Sequence, residues 1–168
     1  EFPTIAEHAH VTLIEAGPRL LPSFSERSSE RAEQSLSKLG VDVILDSAVD
    51  RMYPSDIHLK SGRIISAGTT IWAAGVAADE QWTSLGDSDR LNRLVVDENL
   101  QLCENVWVIG DMAHSKDDDG QPLPMVASVA MQQGRHVAGV MTGKTTGPFS
   151  YKDKGQMATV GRRLAVVE

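Results

Sequence analysis

The sequence predicts an α/β fold with a parallel sheet and a small antiparallel meander, and three observations carry that prediction. A short β-branched run, Val11 to Ile14, is followed by a helical pattern and at once by a second short run, Val41 to Leu45. Strand, helix and strand joined by short connections form the crossover unit of a parallel sheet. Short alternating runs between Ala48 and Val76 read as the meander, and a further strand, loop and helix follow between Val106 and Met141.

Val11-Thr12-Leu13-Ile14 reads as a buried strand because it is apolar and stops at Glu15-Ala16-Gly17-Pro18, where Gly and Pro end regular structure. From Ser25 to Leu39 the pattern is helical, with Ala32, Leu36 and Leu39 on one stripe and Gly40 placed to cap the end. The meander consists of Val49 to Met52, Ile57 to Leu59 and Arg63 to Ile65, with a turn at Lys60-Ser61-Gly62. Thr69 to Gly75 reads as a strand closing on Ala73-Ala74-Gly75, small residues that let a backbone or a flat ligand come close. Residues 79–93 are polar and rich in turn formers, which suggests a connector between two lobes. Val106 to Ile109 reads as another buried strand ending in Gly110-Asp111, with a polar loop from Ser115 to Gln121. The next helix is expected from Met125 to Met141, with Val126, Val129, Ala130, Val137 and Val140 inward. Along its edge Ala130, Gly134 and Ala138 stand at spacing four, which permits close packing on another helix.

With 41% hydrophobic residues in 168, the chain has the composition of an ordinary globular protein. No stretch approaches the roughly 20 apolar residues needed to span a bilayer, and Glu1-Phe2-Pro3 lacks both an initiator Met and a signal pattern. The chain therefore reads as part of a longer one. A net charge of -7 disfavours nucleic acid. Cys103 is the single cysteine, so no internal disulfide, Cys-x-x-Cys pair or thiolate cluster can form, and a reducing compartment fits best. No metal is expected: the histidines lack ligand spacing apart from His8 and His10. The Asp117-Asp118-Asp119-Gly120 run, counted from Ser115, has Val126 where a calcium loop needs its bidentate carboxylate. Trp72 and Trp107 lie inside apolar runs and read as core.

Two places could carry chemistry. An acidic residue ending the second strand of a Rossmann unit accepts hydrogen bonds from adenosine ribose hydroxyls, and Glu15 stands at such a position, although a solvated strand-end Glu reads the same way. Gly110-Asp111, followed by a loop and a helix, is more specific. Gly permits close contact and the carboxylate can accept from a cofactor hydroxyl. The helix start then offers unpaired N–H groups and a partial positive charge, which would stabilise a reduced flavin. An Asp capping a loop accounts for the same residues.

VTLIEAGPRLLP from Val11, IWAAGV from Ile71, NVWVIGDMA from Asn105, PLPMVASVAMQQGRHVA from Pro122 and FSYKDKGQMATVGRRLAV from Phe149 together resemble the type II NADH dehydrogenases in order and spacing. The resemblance implies a partial Rossmann-like flavoprotein fold with two dinucleotide domains. In it, 1–78 is part of an NAD-binding domain, 79–147 is the returning part of an FAD-binding domain and 148–168 begins a carboxyl-terminal domain. It implies that Glu15 binds the NADH ribose, that Ala74-Gly75 lies near the meeting place of the cofactors, and that Gly110 and Asp111 hold the ribityl-phosphate region of FAD. Val126-Ala127 would face the flavin ring, with Gln132 and Gln133 near the quinone. Ser128 departs from the pattern, since family members commonly carry Gln there. Gln133 also falls on the apolar stripe, where a structural hydrogen bond competes with a ligand contact.

The implied reaction is hydride transfer from NADH to FAD and then reduction of a quinone, without proton pumping, metal or a side chain acting as general acid or base. The resemblance places the cofactor-gripping glycine segments upstream of Glu1, the membrane contact downstream, and the protein in the cytoplasm on the inner face of the membrane. A fragment of this kind would leave apolar surface uncovered at about 25 cal/mol per Å², so self-association, weak cofactor binding and inactivity are expected of it. Two alternatives stand beside this reading: a ferredoxin or disulfide reductase of the same superfamily, and a cofactor-free interaction module.

Overall fold

The computed structural model describes residues 9–162 and 164–168. The expectation for Glu1-Phe2-Pro3 and for His8 lies outside the described residues. The chain divides into two compact units, one running to Trp72 and resuming at Gly155–Glu168, the other formed by Ala73–Lys154. The fold class is the α/β class expected.

In the first unit, β1 (Val11–Ile14) and β2 (Val41–Ile44) pair in parallel with Val11 opposite Val41 and Ile14 opposite Ile44, and α1 (Glu26–Lys38) connects them. Ser25 caps α1 by accepting from Ser28 N, and Gly40, at φ +79°, ends it in the left-handed conformation that costs glycine least. The inner face of α1 is smaller and more polar than its apolar stripe suggests. Ala32 and Ser29 are buried, while Leu36 is half-buried and Leu39 is 61% exposed. The reason is Arg19, whose guanidinium donates to the carbonyls of Pro22 and Phe24 and to Ser29 Oγ. The loop before α1 is thereby folded onto the helix, with Leu20 and Phe24 buried. β1 has one strand neighbour among the described residues, so Val11 stays 55% exposed rather than buried as expected.

The meander forms as anticipated: β3 (Val49–Met52), β4 (Asp56–Leu59) and β5 (Ile64–Ser66) are antiparallel, and Gly62 N donates to Leu59 O across the turn. Alternation places Ile57 and Leu59 of the middle strand inward, where both are buried. The run from Thr69 is not a strand. Residues 69–73 make no ladder, and Ile71 and Trp72 are 86% and 60% exposed, so Trp72 is not core.

The unit is completed by an antiparallel hairpin, β10 (Met157–Val160) and β11 (Leu164–Val167), with Met157 opposite Val167. Glu168, next after β11, accepts from Ser25 N, Ser25 Oγ and Ser28 Oγ at the start of α1. Hydrogen bonds from Ser25 and Ser28 hold the Glu168 carboxyl below its ordinary value. A lowered folded pKa means the clasp is complete above the ordinary carboxylate range and is lost as pH falls through the lowered value. Glu168→Gln should therefore weaken amide-exchange protection of β11 at neutral pH, and should abolish its acid dependence.

In the second unit a 3₁₀ turn at Glu80–Leu85 is capped by Asp79, whose Oδ1 accepts from Gln81 N. Residues 79–93 are therefore folded within this unit rather than serving only as a connector, and Arg93 is buried. β6 (Leu94–Val95) pairs in parallel with β9 (Ala113–His114), and β7 (Gln101–Cys103) pairs antiparallel with β8 (Val106–Trp107). Leu94, Leu100, Ala113 and Leu123 form the core with Val129 and Val137 of α2 (Ala127–Met141). The expected buried strand Val106 to Ile109 is a two-residue ladder with Val106 and Ile109 partly exposed, and Trp107 is half-buried. Among the described residues its one ladder partner is β7.

Candidate functional site

Val106 to Ile109 leads into a 3₁₀ turn, Gly110–Met112. Gly110 has φ +66°, and a Cβ added there would lie 3.4 Å from Ala130 Cβ in the first turn of α2. Ile109 Cδ1 similarly lies 3.8 Å from where a side chain on Gly134 would begin. The small-residue face of α2 thus receives the end of this strand. That corrects the expectation of another helix there, and the exposed Ala138 takes no part in the packing.

A second contact locks the same geometry. Gln133 has no exposed surface, its Oε1 accepts from Gly110 N at 2.6 Å, and its Nε2 donates to Ser115 Oγ at 2.7 Å. Both ends of the amide are therefore engaged in joining α2 to the turn and to the loop after β9. No side chain caps the start of α2 at Val126, so the amides of Ala127 and Ser128 carry the positive end of the helix without a side-chain acceptor. Asp111, on the 3₁₀ turn that Gly110 begins, carries an exposed carboxylate. A backbone without a Cβ, an exposed carboxylate and an uncapped helix start make a surface that fits a ligand with hydroxyl groups and an electron-rich edge.

Gln132 is placed differently from Gln133. Its amide pairs reciprocally with the backbone of Lys152, donating to the carbonyl at 2.9 Å and accepting from the N–H at 3.0 Å. Ala74 and Gly75 belong to the same unit and are exposed, with Gly75 at φ +104°. Glu15 belongs to the other unit. It continues the ladder beyond β1 by donating its N–H to Ile44 O, and its Oε1 accepts from Gly17 N at 2.7 Å. One carboxylate oxygen thus shapes the Glu15-Ala16-Gly17 turn. Asp117, in the acidic run, accepts from Asp119 N and Gln121 N, which makes the run a tight turn.

The sequence did not reveal a network in the second unit. Arg93 donates to Asp89 Oδ2 at 2.8 Å and to Leu123 O at 3.0 Å, and His114 Nδ1 lies 2.9 Å from the same Asp89 oxygen. Burial alone would push the Asp89 carboxyl up. Hydrogen bonds from His114 and Arg93 and from the amides of Arg93 and Leu91 outweigh it and hold the carboxyl well below the usual range. The Asp89-x-x-x-Arg93 spacing was the available signal, but in a polar, turn-rich stretch it reads as solvated charge.

Residues 4–134 match the family described as pyridine nucleotide-disulphide oxidoreductase. The chain belongs to that family. Among its relatives, an internal alternative NAD(P)H-ubiquinone oxidoreductase A1 of Solanum tuberosum mitochondria is 33% identical over 98% of this chain. A type II NADH:quinone oxidoreductase of Haemophilus influenzae is 32% identical over 93%. The chain spans only 36% and 37% of these two proteins. The fold of the pyridine nucleotide-disulphide oxidoreductases is matched too. NDH2 of Plasmodium falciparum in complex with NADH superposes with a TM-score of 0.84, at 17% identity, over 99% of this chain and 51% of its own. Reduced CoADR-RHD of Bacillus anthracis gives 0.78 at 22% identity, over 92% and 29%. Among the described residues no helix is long and apolar enough to cross a membrane.

Proposed function

We propose that this chain is the carboxyl-side portion of a flavin-dependent NADH:quinone oxidoreductase, the activity named for its relative in Haemophilus influenzae. The observation that carries the reading is the lock of Gly110 onto α2 through Gln133 and Ala130. It holds a backbone free of Cβ, the Asp111 carboxylate and an uncapped helix start in one rigid piece. In this reading Asp111 accepts from hydroxyls of the ribityl-phosphate region of FAD, and Gly110 lets that region approach the backbone. The helix start at Val126-Ala127, whose amides at Ala127 and Ser128 have no side-chain acceptor, meets the pyrimidine edge of the ring, where reduction places negative charge. Glu15 accepts from the NADH ribose with the carboxylate oxygen that Gly17 does not use, and Ala74-Gly75 leaves room where the two cofactors meet. Bound FAD supplies the hydride acceptance and the onward electrons, and the side chains named here bind and orient.

The remaining assignments follow from the same reading. Residues 1–78 serve NAD, 79–147 serve FAD and 148–168 lead into the carboxyl-terminal region, with peripheral membrane attachment on the cytoplasmic face outside this chain. Exposed Ile71, Trp72 and Val76 favour self-association of the chain when it is alone. Gln132 and Gln133 lie toward the quinone side, Gln133 acting through the placement of the Gly110 turn.

The test is flavin content and acceptor preference at the full length of the relatives. The protein should purify with flavin absorbance, lose it on adding NADH without oxygen, and regain it with a short-chain benzoquinone. Absence of flavin, or faster reoxidation by ferredoxin or a disulfide, would overturn the proposal. The isolated chain should show at most weak flavin binding and no turnover.

A further inference from the structure

Asp111 stands in a segment that is tethered on both sides. Before it, Gly110 N donates to Gln133 Oε1, and after it Ser115 Oγ accepts from Gln133 Nε2. A further tether is His114, whose Nδ1 lies 2.9 Å from Asp89 Oδ2 and whose side chain is 15% exposed. The backbone ladder holds this stretch weakly by comparison. β9 is two residues long, and the bond from Val96 N to His114 O measures 3.4 Å, longer than a good amide hydrogen bond.

The group that His114 meets is fixed from several directions. Asp89 Oδ1 accepts from the amides of Leu91 and Arg93, and Oδ2 accepts from Arg93 Nε and Nη2, both at 2.8 Å. Arg93 Nη1 donates in turn to Leu123 O, and Leu123 N donates to Ser115 O, in the residue after His114. The path from His114 through Asp89, Arg93 and Leu123 to Ser115 therefore closes on itself. Arg93 Nη2 also lies 3.3 Å from His114 Nδ1, and one ring nitrogen cannot accept from a guanidinium while donating to a carboxylate. An ionised carboxylate only accepts, so the proton sits on Nδ1 and the bond runs from His114 to Asp89.

We infer that His114 is a positioning residue for the flavin cradle: its bond to Asp89 anchors β9, and with it the place at which the Asp111 carboxylate meets the hydroxyls of FAD. This rests on the function proposed above and adds to it a residue that acts through the backbone of Met112 and Ala113. Ala113 is buried and its N–H donates to Gly110 O, so a shift of β9 passes directly into the turn that carries Asp111. Loss of the imidazole leaves Asp89 bonded to Arg93 and to two amides, so no buried charge is stranded. What goes is the anchor of a two-residue strand, and the turn must then be ordered when the ligand binds.

The experiment compares His114→Leu, His114→Gln and His114→Asn in the protein at the full length of the relatives. The Asn carboxamide places an N–H where Nδ1–H stood, whereas that of Gln lies one carbon farther out. FAD titrated into each apoprotein, followed by flavin fluorescence, should bind roughly three- to tenfold more weakly in His114→Leu and His114→Gln. That is less than the full worth of a hydrogen bond to a charged group, because the loss reaches the ligand through the backbone. Binding in His114→Asn should be close to that of the unsubstituted protein. Amide exchange at Met112 and Ala113 should quicken in the Leu and Gln variants alone, and KM for NADH at saturating FAD should not move, since Glu15 belongs to the other unit. If His114→Leu does not fold, the comparison of Gln with Asn decides by itself. Unchanged FAD affinity in His114→Leu or His114→Gln, or equal weakening in all three variants, would overturn the inference and leave the proposed function standing. Failure of the unsubstituted protein to bind FAD would overturn both.

Discussion

Asp89→Ala should destabilise the second unit by about 3–5 kcal/mol, the cost of removing one partner from a buried ion pair. The mechanism is specific to what remains. Arg93 is 6% exposed and its guanidinium reaches Asp89, Leu123 O and His114. Without Asp89 the positive charge stays in place with one neutral carbonyl and an imidazole, and the amides of Leu91 and Arg93 lose the oxygen they share. Replacing both partners, Asp89→Leu with Arg93→Met, should cost less than Asp89→Ala alone, because no charge is then left in the interior. Because the folded pKa is depressed, the contribution is complete above the ordinary carboxylate value of about 4 and is lost as pH falls toward the lowered value. Urea unfolding followed from pH 7 downward should show that acid loss in the unsubstituted protein, and a flatter profile in the double variant. Equal stability of all three proteins at neutral pH would show that the network is not holding the unit.

The crossover unit and the meander could be read from the sequence because each is local. A short apolar run, a capped helical stripe and a Gly turn act within a few residues of one another, and Ser25, Gly40 and Gly62 do what their positions suggest. Burial was read less well. Val11, Ile71, Trp72 and Val106 are apolar but exposed to a considerable degree, since burial depends on what lies against both faces of a segment and periodicity does not carry that information. The Gly110-Asp111 turn was visible as a motif, while its lock was only half visible. Gln133 could be placed on the inner stripe, but its partners, Gly110 and Ser115, are 23 and 18 residues away. Arg19 and Arg93 went unnoticed for a related reason. A charged residue reads as surface until the carbonyls it satisfies are known.

Gln133 is where stability and the proposed chemistry meet, so its substitution separates the two. Gln133→Ala should cost about 2–4 kcal/mol, combining a cavity at a position without exposed surface with the loss of two hydrogen bonds. Gln133→Met keeps most of the volume and should cost about 1–3 kcal/mol, the penalty for leaving the Gly110 N–H and Ser115 Oγ without that partner. Amide exchange at Gly110 is the direct measurement, and both variants should speed it far more than they speed exchange in β1 or α1, which belong to the other unit. If the turn is the cradle proposed for FAD, Gln133→Met should also weaken flavin retention, although its side chain need never touch the cofactor. Gly110 would lose the bond that fixes its N–H, the turn would sample other conformations, and each would have to be reordered on binding. Faster Gly110 exchange with unchanged flavin affinity would separate the lock from the cradle and leave Gln133 a purely structural role.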